Sequence, residues 1–242
     1  MFKPCVLIPV YDHEHAIGAV VGAVLRHGVP CIVVDDGSAD ACAGVLRALD
    51  GVDLLRHPVN CGKGAAVQTG FAHAARAGYT HVLQIDADGQ HCIADIPRFL
   101  AMAEAHPQAV IAGCPVYDES VPALRFYARY LTHICVWINT LSFAIRDSMC
   151  GFRVYPIAPV VALMARQPIG RRMNFDTDIL VRLYWAGLAV VNLPTRVGYP
   201  SDGVSHFRMW RDNLLIARMH ASLFFGMLLR LPALLARTWR RR

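Results

Sequence analysis

Short apolar runs alternate with longer amphipathic segments through the first half of the chain. The short runs have the length of strands and cover residues 4–10, 30–34, 52–56 and 81–85. Between them lie three segments with a helical pattern, at residues 15–27, 40–49 and 63–77. This alternation predicts an α/β fold in which helices flank both faces of a parallel sheet.

Polar clusters follow three of the predicted strands. Tyr11 and Asp12 follow the first strand, Asp35 and Asp36 end the second, and the segment 86–88 follows the fourth. In open α/β sheets, ligands bind beyond the carboxyl ends of the strands. The three polar strand ends therefore predict a ligand site at that edge of the sheet.

The most informative cluster is the DxD segment 86–88, Asp-Ala-Asp, which directly follows an apolar strand. Two carboxylates two residues apart can face one ligand if the chain bends, and Gly89 permits a bend. Paired carboxylates repel each other unless a cation neutralises them, and oxygen ligands of this kind suit Mg²⁺ or Mn²⁺. The alternative is a solvated acidic turn that caps the next helix.

Two other motifs are compatible with nucleotide or phosphate binding. In the segment 35–38, Asp-Asp-Gly-Ser, a carboxylate at the strand end can accept hydrogen bonds from a base or a ribose, although a type I turn explains the same residues. In the segment 60–64, Asn-Cys-Gly-Lys-Gly, the glycines allow close backbone approach and Lys63 offers a cation to a diphosphate. A loop with a solvated lysine is the alternative, because the segment is not a Walker motif.

The positive charge of the protein is concentrated at its C-terminus. The 242-residue chain has a formal net charge of +6, and from His206 onward eight Arg and one Asp give +7, which leaves −1 for the rest. Such a tail suits nucleic acid or an anionic membrane, and the apolar residues between the arginines favour the membrane. We therefore expect a membrane surface, and no nucleic acid, as a partner.

Composition and cysteine spacing indicate a folded protein of the reducing cytosol. Hydrophobic residues make up 55% of the chain and charged residues 17%, which excludes a disordered protein. The eight cysteines form no CxxC pair, and none has a histidine at zinc-finger spacing. The apolar run before Asp12 is too short for a secretory signal.

The C-terminal segment mixes large apolar side chains with arginines. Its most apolar stretch, residues 221–235, contains Arg230 and Pro232 and falls short of the roughly 20 residues that a membrane span needs. A second apolar stretch, residues 127–145, contains Arg129, His133 and Asn139. We predict neither as a span. We expect the C-terminal segment to be an amphipathic helix on the membrane surface, broken or kinked at Pro232, with ordinary packing on the domain as the alternative.

Four motifs in this order resemble the motif series of glycosyltransferase family 2. They are Pro9-Val10-Tyr11-Asp12, Val34-Asp35-Asp36-Gly37-Ser38, Asn60-x-Gly62-Lys63-Gly64 and Asp86-Ala87-Asp88-Gly89-Gln90-His91. The resemblance covers about residues 3–206. It is most similar to the branch of dolichol-phosphate mannosyltransferases and other polyprenyl-phosphate glycosyltransferases, because the segment 147–155 resembles that branch's D-x-x-S-G-F-R-x-Y segment. The resemblance implies a GT-A-like fold, inversion and a nucleotide-sugar donor.

The resemblance implies roles for individual residues. The positions that match nucleotide-binding residues are Pro9, Tyr11, Asp35, Lys63 and Asp86. The positions that match ligands of a divalent cation on the donor diphosphate are Asp86, Asp88 and Gln90. The positions that match catalytic carboxylates are Asp88 and Asp178. The positions that match phosphate or acceptor contacts are Arg153, Ser205 and His206.

Two of these positions have structural alternatives. Asp178 and Arg182 are spaced i, i+4, so an ion pair on a helix explains Asp178 without chemistry. Arg153 could pair with Asp147 within a strand instead of contacting a phosphate.

The chain also departs from the pattern of the branch at three places. His13 replaces a usual Glu, Cys114-Pro115 replaces a Ser-Arg pair, and His206 replaces a Lys. These departures indicate a divergent subgroup with a different sugar or acceptor.

The sequence therefore predicts a metal-dependent hexosyltransferase that is cytoplasmic and peripheral on the inner face of the cell membrane. Residues 1–206 would form the GT-A domain and residues 207–242 the basic membrane-proximal segment. The acceptor would be a lipid, such as a polyprenyl-phosphate-like molecule, or another amphiphilic molecule. Two alternatives remain: a non-catalytic nucleotide-sugar-binding subunit of a membrane complex, and a nucleotidyltransferase, although residues 11–18 lack the glycine-rich phosphate loop of the latter.

Overall fold

The computed structural model describes residues 1–116, 123–198 and 208–239. Within them, seven strands form one mixed sheet in the order β3-β2-β1-β4-β6-β5-β7. The strands are β1 (Pro4–Val10), β2 (Cys31–Asp35), β3 (Val52–Arg56), β4 (His81–Gln84), β5 (Ala109–Val116), β6 (Arg153–Pro156) and β7 (Ala189–Arg196). The four strands that the apolar runs predict are all present and mutually parallel.

Strand β1 lies at the point where the strand order reverses. It pairs with β2 on one side, Val10 opposite Asp35, and with β4 on the other, Leu7 opposite Gln84. The polar ends of β1, β2 and β4 therefore meet at one edge of the sheet, as the sequence predicts. The departure from a parallel sheet is β6, which runs antiparallel to both β4 and β5.

Within the described residues, eight α-helices lie around the sheet. They are α1 (Glu14–Leu25), α2 (Asp40–Arg47), α3 (Lys63–Arg76), α4 (Ile96–Ala105), α5 (Ala123–Thr140), α6 (Ile157–Arg166), α7 (Phe175–Trp185) and α8 (Met209–Trp239). The predicted α/β fold, a mostly parallel sheet flanked by helices with a C-terminal helical extension, is confirmed.

Alternation along β1 shows why both faces are covered. Val6 and Ile8 pack with α1, α2 and α4 in one apolar core, whereas Cys5 and Leu7 pack with α3, α6 and α7 in the other. Successive side chains of a strand point to opposite faces, so an all-apolar strand needs a helical layer on each side. This arrangement leaves the strand ends as the place where polar groups reach solvent.

One face of α8 belongs to the second core. Met219, Leu223, Met227 and Leu234 are buried against α5 and α7, which places them on one side of the helix. Gly226 is part of this contact, since a Cβ there would lie 2.9 Å from the Trp185 ring. The packing that the sequence left as an alternative is therefore present, and the division of the chain at residue 206 stays a prediction.

The helix α8 does not end at Pro232, so a break there is wrong, and the kink that the sequence offers instead stays a prediction. Proline removes one backbone donor, but packing downstream keeps the helix in place. Leu234 is buried, and the Arg237 guanidinium donates to the Tyr184 carbonyl at 2.6 Å and to the Trp185 carbonyl at 3.3 Å.

The arginines of α8 fall into two groups. Arg211 and Arg218 are exposed. Arg230 instead lies 4.8 Å from the Trp185 ring centroid, and Arg237 packs on α7. In these cation–π and carbonyl contacts, the guanidinium charge interacts with groups of the protein itself. The seven-residue spacing within each pair is thus matched by a shared environment, and the first pair is the more exposed of the two.

Candidate active site

Side-chain hydrogen bonds join the ends of β1 and β2. The Ser38 hydroxyl accepts from the Asp12 backbone N–H at 3.0 Å, and Asp12 Oδ1 accepts from the Ala39 N–H at 2.8 Å. Asp12 has a φ of 49°, a left-handed conformation that Asp adopts more readily than most residues. These contacts fix two of the three predicted polar strand ends against each other.

The Asp36 carboxylate organises the loop that follows β3. Its oxygens accept from the Cys61 N–H at 2.9 Å and from the Gly62 N–H at 2.7 Å. Gly62 has a φ of 104°, which glycine adopts without the strain that a side chain would cause. The loop held in this way leads directly into α3, whose first residue is Lys63.

Lys63 joins two acidic segments. Its Nζ lies 2.7 Å from Asp86 Oδ1 and 2.9 Å from Asp176 Oδ2. Burial opposes the charge of Lys63, but Asp176 and Asp86 outweigh it and raise the pKa of the ammonium. Gln84 Nε2 donates to the other Asp176 oxygen at 2.9 Å. Lys63 is therefore charged at neutral pH and holds together two carboxylates that would otherwise repel each other.

Asp86 is enclosed on two further sides. His91 Nε2 lies 3.4 Å from Asp86 Oδ2, and a Cβ on Gly151 would lie 2.5 Å from the same oxygen. Burial alone would raise the pKa of Asp86, yet Lys63 and His91 hold it well below its usual range. Asp86 is therefore a carboxylate at neutral pH, and a residue without a side chain is needed at position 151.

Asp88 and Gln90 lie in the same turn and are both partly exposed. The Gln90 N–H donates to Asp88 Oδ1 at 3.0 Å, and Gly89, with a φ of 72°, makes the bend. With Asp86 they offer carboxylate and amide oxygens, the donors that Mg²⁺ and Mn²⁺ prefer. The residues of this turn therefore fit a divalent cation.

A comparison with protein families decides what kind of protein carries this site. The sequence profile of glycosyl transferase family 2 matches residues 5–171, well over half of the chain. The chain belongs to glycosyltransferase family 2. The matched region contains the strand ends, Lys63, the DxD segment and the position of Gly151.

Relatives within the family include polyprenyl-phosphate glycosyltransferases. The chain is 27% identical over 222 residues to the polyprenol monophosphomannose synthase of Mycolicibacterium smegmatis, covering 84% of this chain and 80% of that one. It is 28% identical over 209 residues to a dolichyl-phosphate β-glucosyltransferase of Trichomonas vaginalis, and the match covers 78% of this chain and 63% of that one. The predicted family and branch are confirmed.

Solved structures share the fold. Glucosyl-3-phosphoglycerate synthase from Mycobacterium tuberculosis, solved in complex with Mn²⁺ and UDP-glucose, matches with a TM-score of 0.69. The sequences are 16% identical, and the match covers 93% of this chain and 79% of that one. The likeness confirms the predicted GT-A-like fold.

The nucleotide-binding positions implied by the family differ in exposure. Pro9 is buried within β1, and Tyr11, just beyond the strand, is partly exposed. Asp35 is 1% exposed; its Oδ1 accepts from the Ser38 N–H at 2.8 Å, and Arg56 Nη1 lies 3.1 Å from Oδ2. Asp35 thus orders its own turn, and a contact of any of these residues with a nucleotide stays a prediction.

The two carboxylates at the start of α7 have different surroundings. Asp178 forms the ion pair that its spacing allows: Arg182 Nε lies 2.6 Å from Oδ1, and Oδ2 accepts from the Gly170 N–H at 2.8 Å. Asp176, two residues earlier in α7, is the carboxylate that contacts Lys63. The ion pair with Arg182 that the spacing allows is therefore present, and a catalytic role for Asp178 stays a prediction.

Asp178 has a clear structural consequence. The segment whose N–H it binds packs on the loop of Lys63, because the Ala65 N–H donates to the Arg171 carbonyl at 2.9 Å. A Cβ on Gly64 would lie 2.6 Å from the Gly170 carbonyl oxygen. Asp178 thus stabilises the segment 170–171, on which the N-terminus of α3 packs.

Arg153 lies opposite Gln84, the last residue of β4, so it is at the edge of the sheet that carries the site but buried beneath it. It is fully buried in β6, and its Nη1 donates to the Asp176 carbonyl and to the Tyr155 hydroxyl at 3.3 Å. The alternative pairing with Asp147 is wrong, because Asp147 pairs with Arg129 at 2.7 Å. Arg153 holds the backbone of Asp176, and the phosphate contact implied for it stays a prediction that its burial does not favour.

The remaining acceptor candidates, Ser205 and His206, lie outside the described residues. Sequence reasoning gave no role to three residues that the structure brings to the site: Asp36, His91 and Asp176. His91 and Asp36 belong to the matched motifs, so their types were visible but their partners were not. Asp176 became a site residue only because α7 folds back onto α3.

Proposed function

We propose that this chain transfers a sugar, with inversion, from a nucleotide-diphosphate-sugar donor to a polyprenyl-phosphate-like lipid at the inner face of the cell membrane. The observation that carries this proposal is the Asp86–Lys63–Asp176 bridge beside Asp88, at the point where the strand order reverses. The relatives named as polyprenol and dolichyl-phosphate glycosyltransferases support the acceptor class.

The donor diphosphate would be held at the DxD turn. Asp86, Asp88 and Gln90 would hold a divalent cation, Mg²⁺ or Mn²⁺, and the cation would stabilise the charge that develops on the leaving diphosphate. Lys63 keeps Asp86 ionised and oriented for this task, since Asp86 Oδ1 faces Lys63 at 2.7 Å. His91 restrains the second oxygen, so the carboxylate is positioned before the donor binds.

A phosphate acceptor also suits the state of the α7 carboxylates. Both oxygens of Asp178 already accept from Arg182 and the Gly170 N–H, and Asp176 is paired with Lys63. Deprotonating a hydroxyl acceptor needs a base, whereas a phosphate monoester already carries negative charge near neutral pH. The reaction therefore needs no carboxylate to leave its partner.

Exposed apolar side chains on α8 and α5 form a surface that suits membrane binding. The exposed apolar side chains of α8 include Phe225 and Leu229, 66% and 84% exposed, and α5 adds Leu131, 64% exposed, at its side. Among the described residues, Met209–Arg237 is the one helix long and apolar enough to cross a membrane, judged by length and composition. That stretch is longer than the run 221–235 that the sequence favours, because the helix continues at both ends.

Product analysis tests the proposed reaction. We expect purified protein with a nucleotide sugar, Mn²⁺ and a polyprenyl phosphate to release nucleoside diphosphate and form a glycolipid, with activity lost in excess chelator. Asp88→Asn should lower turnover at least a hundredfold, whereas Asp50→Asn, the same charge change at an exposed turn, should not.

Each rival function has its own outcome in this assay. Pyrophosphate release would indicate a nucleotidyltransferase. Nucleotide-sugar binding with no release from any donor of a broad screen would indicate a binding subunit. Full activity of Asp88→Asn would reject the metal role.

A second prediction concerns the membrane surface. Phe225→Glu with Leu229→Glu should reduce co-sedimentation with anionic vesicles at least tenfold, because each buried apolar side chain of this size contributes about 1.5–3 kcal/mol. The control, Phe225→Leu with Leu229→Ile, should bind like the unchanged protein. Circular dichroism should show equal folding, since both positions are exposed. Unchanged sedimentation of the double Glu variant would reject the membrane role of α8.

A further inference from the structure

A second cluster of metal-ligating side chains lies apart from the DxD turn. Asp36, His57 and Cys61 each offer one ligand atom, and these atoms all lie within 4.8 Å of one another. Asp36 is buried, whereas His57 and Cys61 are partly exposed. A carboxylate, an imidazole and a thiol converge on one point that solvent can reach.

The His57 ring is already oriented as a metal ligand would be. Its Nδ1 lies 2.8 Å from Asp36 Oδ1, and its Nε2 lies 2.9 Å from the Thr69 hydroxyl. Histidines that bind a metal through one ring nitrogen usually donate the other N–H to an oxygen, which fixes the tautomer. Thr69 supplies that oxygen, and this contact is independent of the cluster itself.

The chemistry of the donor set selects the cation. We propose that Asp36, His57 Nδ1 and Cys61 Sγ bind Zn²⁺, with water as the fourth ligand. One thiolate and one carboxylate balance the charge of the ion, and a mixed set of sulfur, nitrogen and oxygen suits Zn²⁺ better than Mg²⁺ or Mn²⁺. Zn²⁺ binding releases the proton of the Cys61 thiol and, when His57 carries it, the proton between Nδ1 and Asp36.

The geometry needs only a small adjustment. Tetrahedral zinc with ligand distances of about 2.0–2.3 Å separates its ligand atoms by about 3.3–3.6 Å. The Asp36–His57 contact would therefore lengthen by about half an ångström, and Cys61 Sγ would close in. The backbone hydrogen bonds from Cys61 and Gly62 to Asp36 share the same carboxylate, so the bound ion would sit against the loop that leads to Lys63.

Cobalt spectroscopy tests this site without any assay of activity. Co²⁺ added to the reduced, metal-free protein should produce a thiolate-to-cobalt charge-transfer band, and one equivalent of Zn²⁺ should abolish it. Cys61→Ser should remove the band, and His57→Gln should weaken Co²⁺ binding at least tenfold. The DxD turn can also take up Co²⁺, but through oxygen ligands it gives no such band.

Cys92 provides the matched control, because it is also partly exposed and follows His91 of the DxD turn. Cys92→Ser should keep the band. Loss of the band in Cys92→Ser with retention in Cys61→Ser would overturn the proposal, as would a chain that shows no thiolate band at any Co²⁺ concentration. Cys61→Ser should fold normally, since Asp36 is bound by the backbone N–H of residue 61 and not by its side chain.

Discussion

Lys63→Met should both unfold more easily and lose transfer activity. The substitution leaves Asp86 and Asp176 facing each other without the ammonium that lies 2.7 and 2.9 Å from them. Removing one partner of a buried ion pair typically costs 3–5 kcal/mol. We expect the free energy of unfolding in urea to fall by about 3 kcal/mol, the lower end of that range, because the Asp86 side chain keeps 23% of its exposure. Turnover should fall at least a hundredfold, since the DxD turn loses the group that orients Asp86.

The loss of stability in Lys63→Met should depend on pH. In the unchanged protein the pKa of Asp86 lies below its usual range, so the carboxylate stabilises the fold above the ordinary pKa of Asp and this contribution is lost in acid. Without Lys63, burial and the neighbouring Asp176 raise the pKa of Asp86. The loss in free energy of unfolding caused by Lys63→Met should therefore be smaller at pH 5 than at pH 8.

Lys3→Met is the matched control for this substitution. Lys3 is the other lysine of the chain, it is exposed, and its Nζ contacts only the Ala77 carbonyl at 3.2 Å and the Tyr79 ring among its described contacts. Its stability should change by less than about 1 kcal/mol, and its activity should not change. Equal stability of Lys63→Met and the unchanged protein at pH 8 would show that the bridge does not hold the two acidic segments.

Gly151→Ala should abolish most activity while leaving the protein folded. The added Cβ would lie 2.5 Å from Asp86 Oδ2 and 2.7 Å from Oδ1, so the carboxylate has to move away from Lys63 and His91. Overpacking of this kind costs typically 1–3 kcal/mol, which a domain of this size tolerates. We expect at least a hundredfold loss of turnover, together with weaker Mn²⁺-dependent donor binding.

Gly44→Ala is the control that distinguishes crowding of Asp86 from a general effect of replacing glycine by alanine. Gly44 is exposed within α2, and a Cβ there has nothing within 4 Å. Replacing a helical glycine by alanine should stabilise the protein by about 0.5–1 kcal/mol and leave activity unchanged. If Gly151→Ala transferred sugar at the normal rate, the close approach to Asp86 would have no bearing on catalysis.

The elements at the start of the chain were predictable because their signals are local. Strands such as Pro4–Val10 are wholly apolar, and the helices between them carry a separate periodicity, so the period-2 and period-3.6 patterns do not compete. The polar strand ends were predictable for a topological reason: parallel strands bring their carboxyl ends to one edge. The antiparallel β6 was not predictable, since no local pattern records the direction of a strand.

The contacts within the site were only partly predictable from the sequence, for a related reason. The motifs showed which residue types follow each strand, but not which carboxylate would face Lys63. Asp176 and Asp178 are two residues apart on α7, and the direction of that helix decides that the first contacts Lys63 and the second Arg182. The same limit applies to α8, where Arg230 and Arg237 pack on α7 although their spacing equals that of the exposed Arg211 and Arg218.

The sequence by itself determined the α/β class, the family and the edge of the sheet where the chemistry lies. It could do so because hydrophobic period, strand length and ordered motifs are properties of contiguous residues. Only the tertiary structure decided the partners of the charged groups: Lys63 between Asp86 and Asp176, Gly151 against Asp86, and His57 between Asp36 and Thr69. Those pairs join residues far apart in the chain, and the packing of α3, α7 and the loop before β6 brings them within a few ångströms.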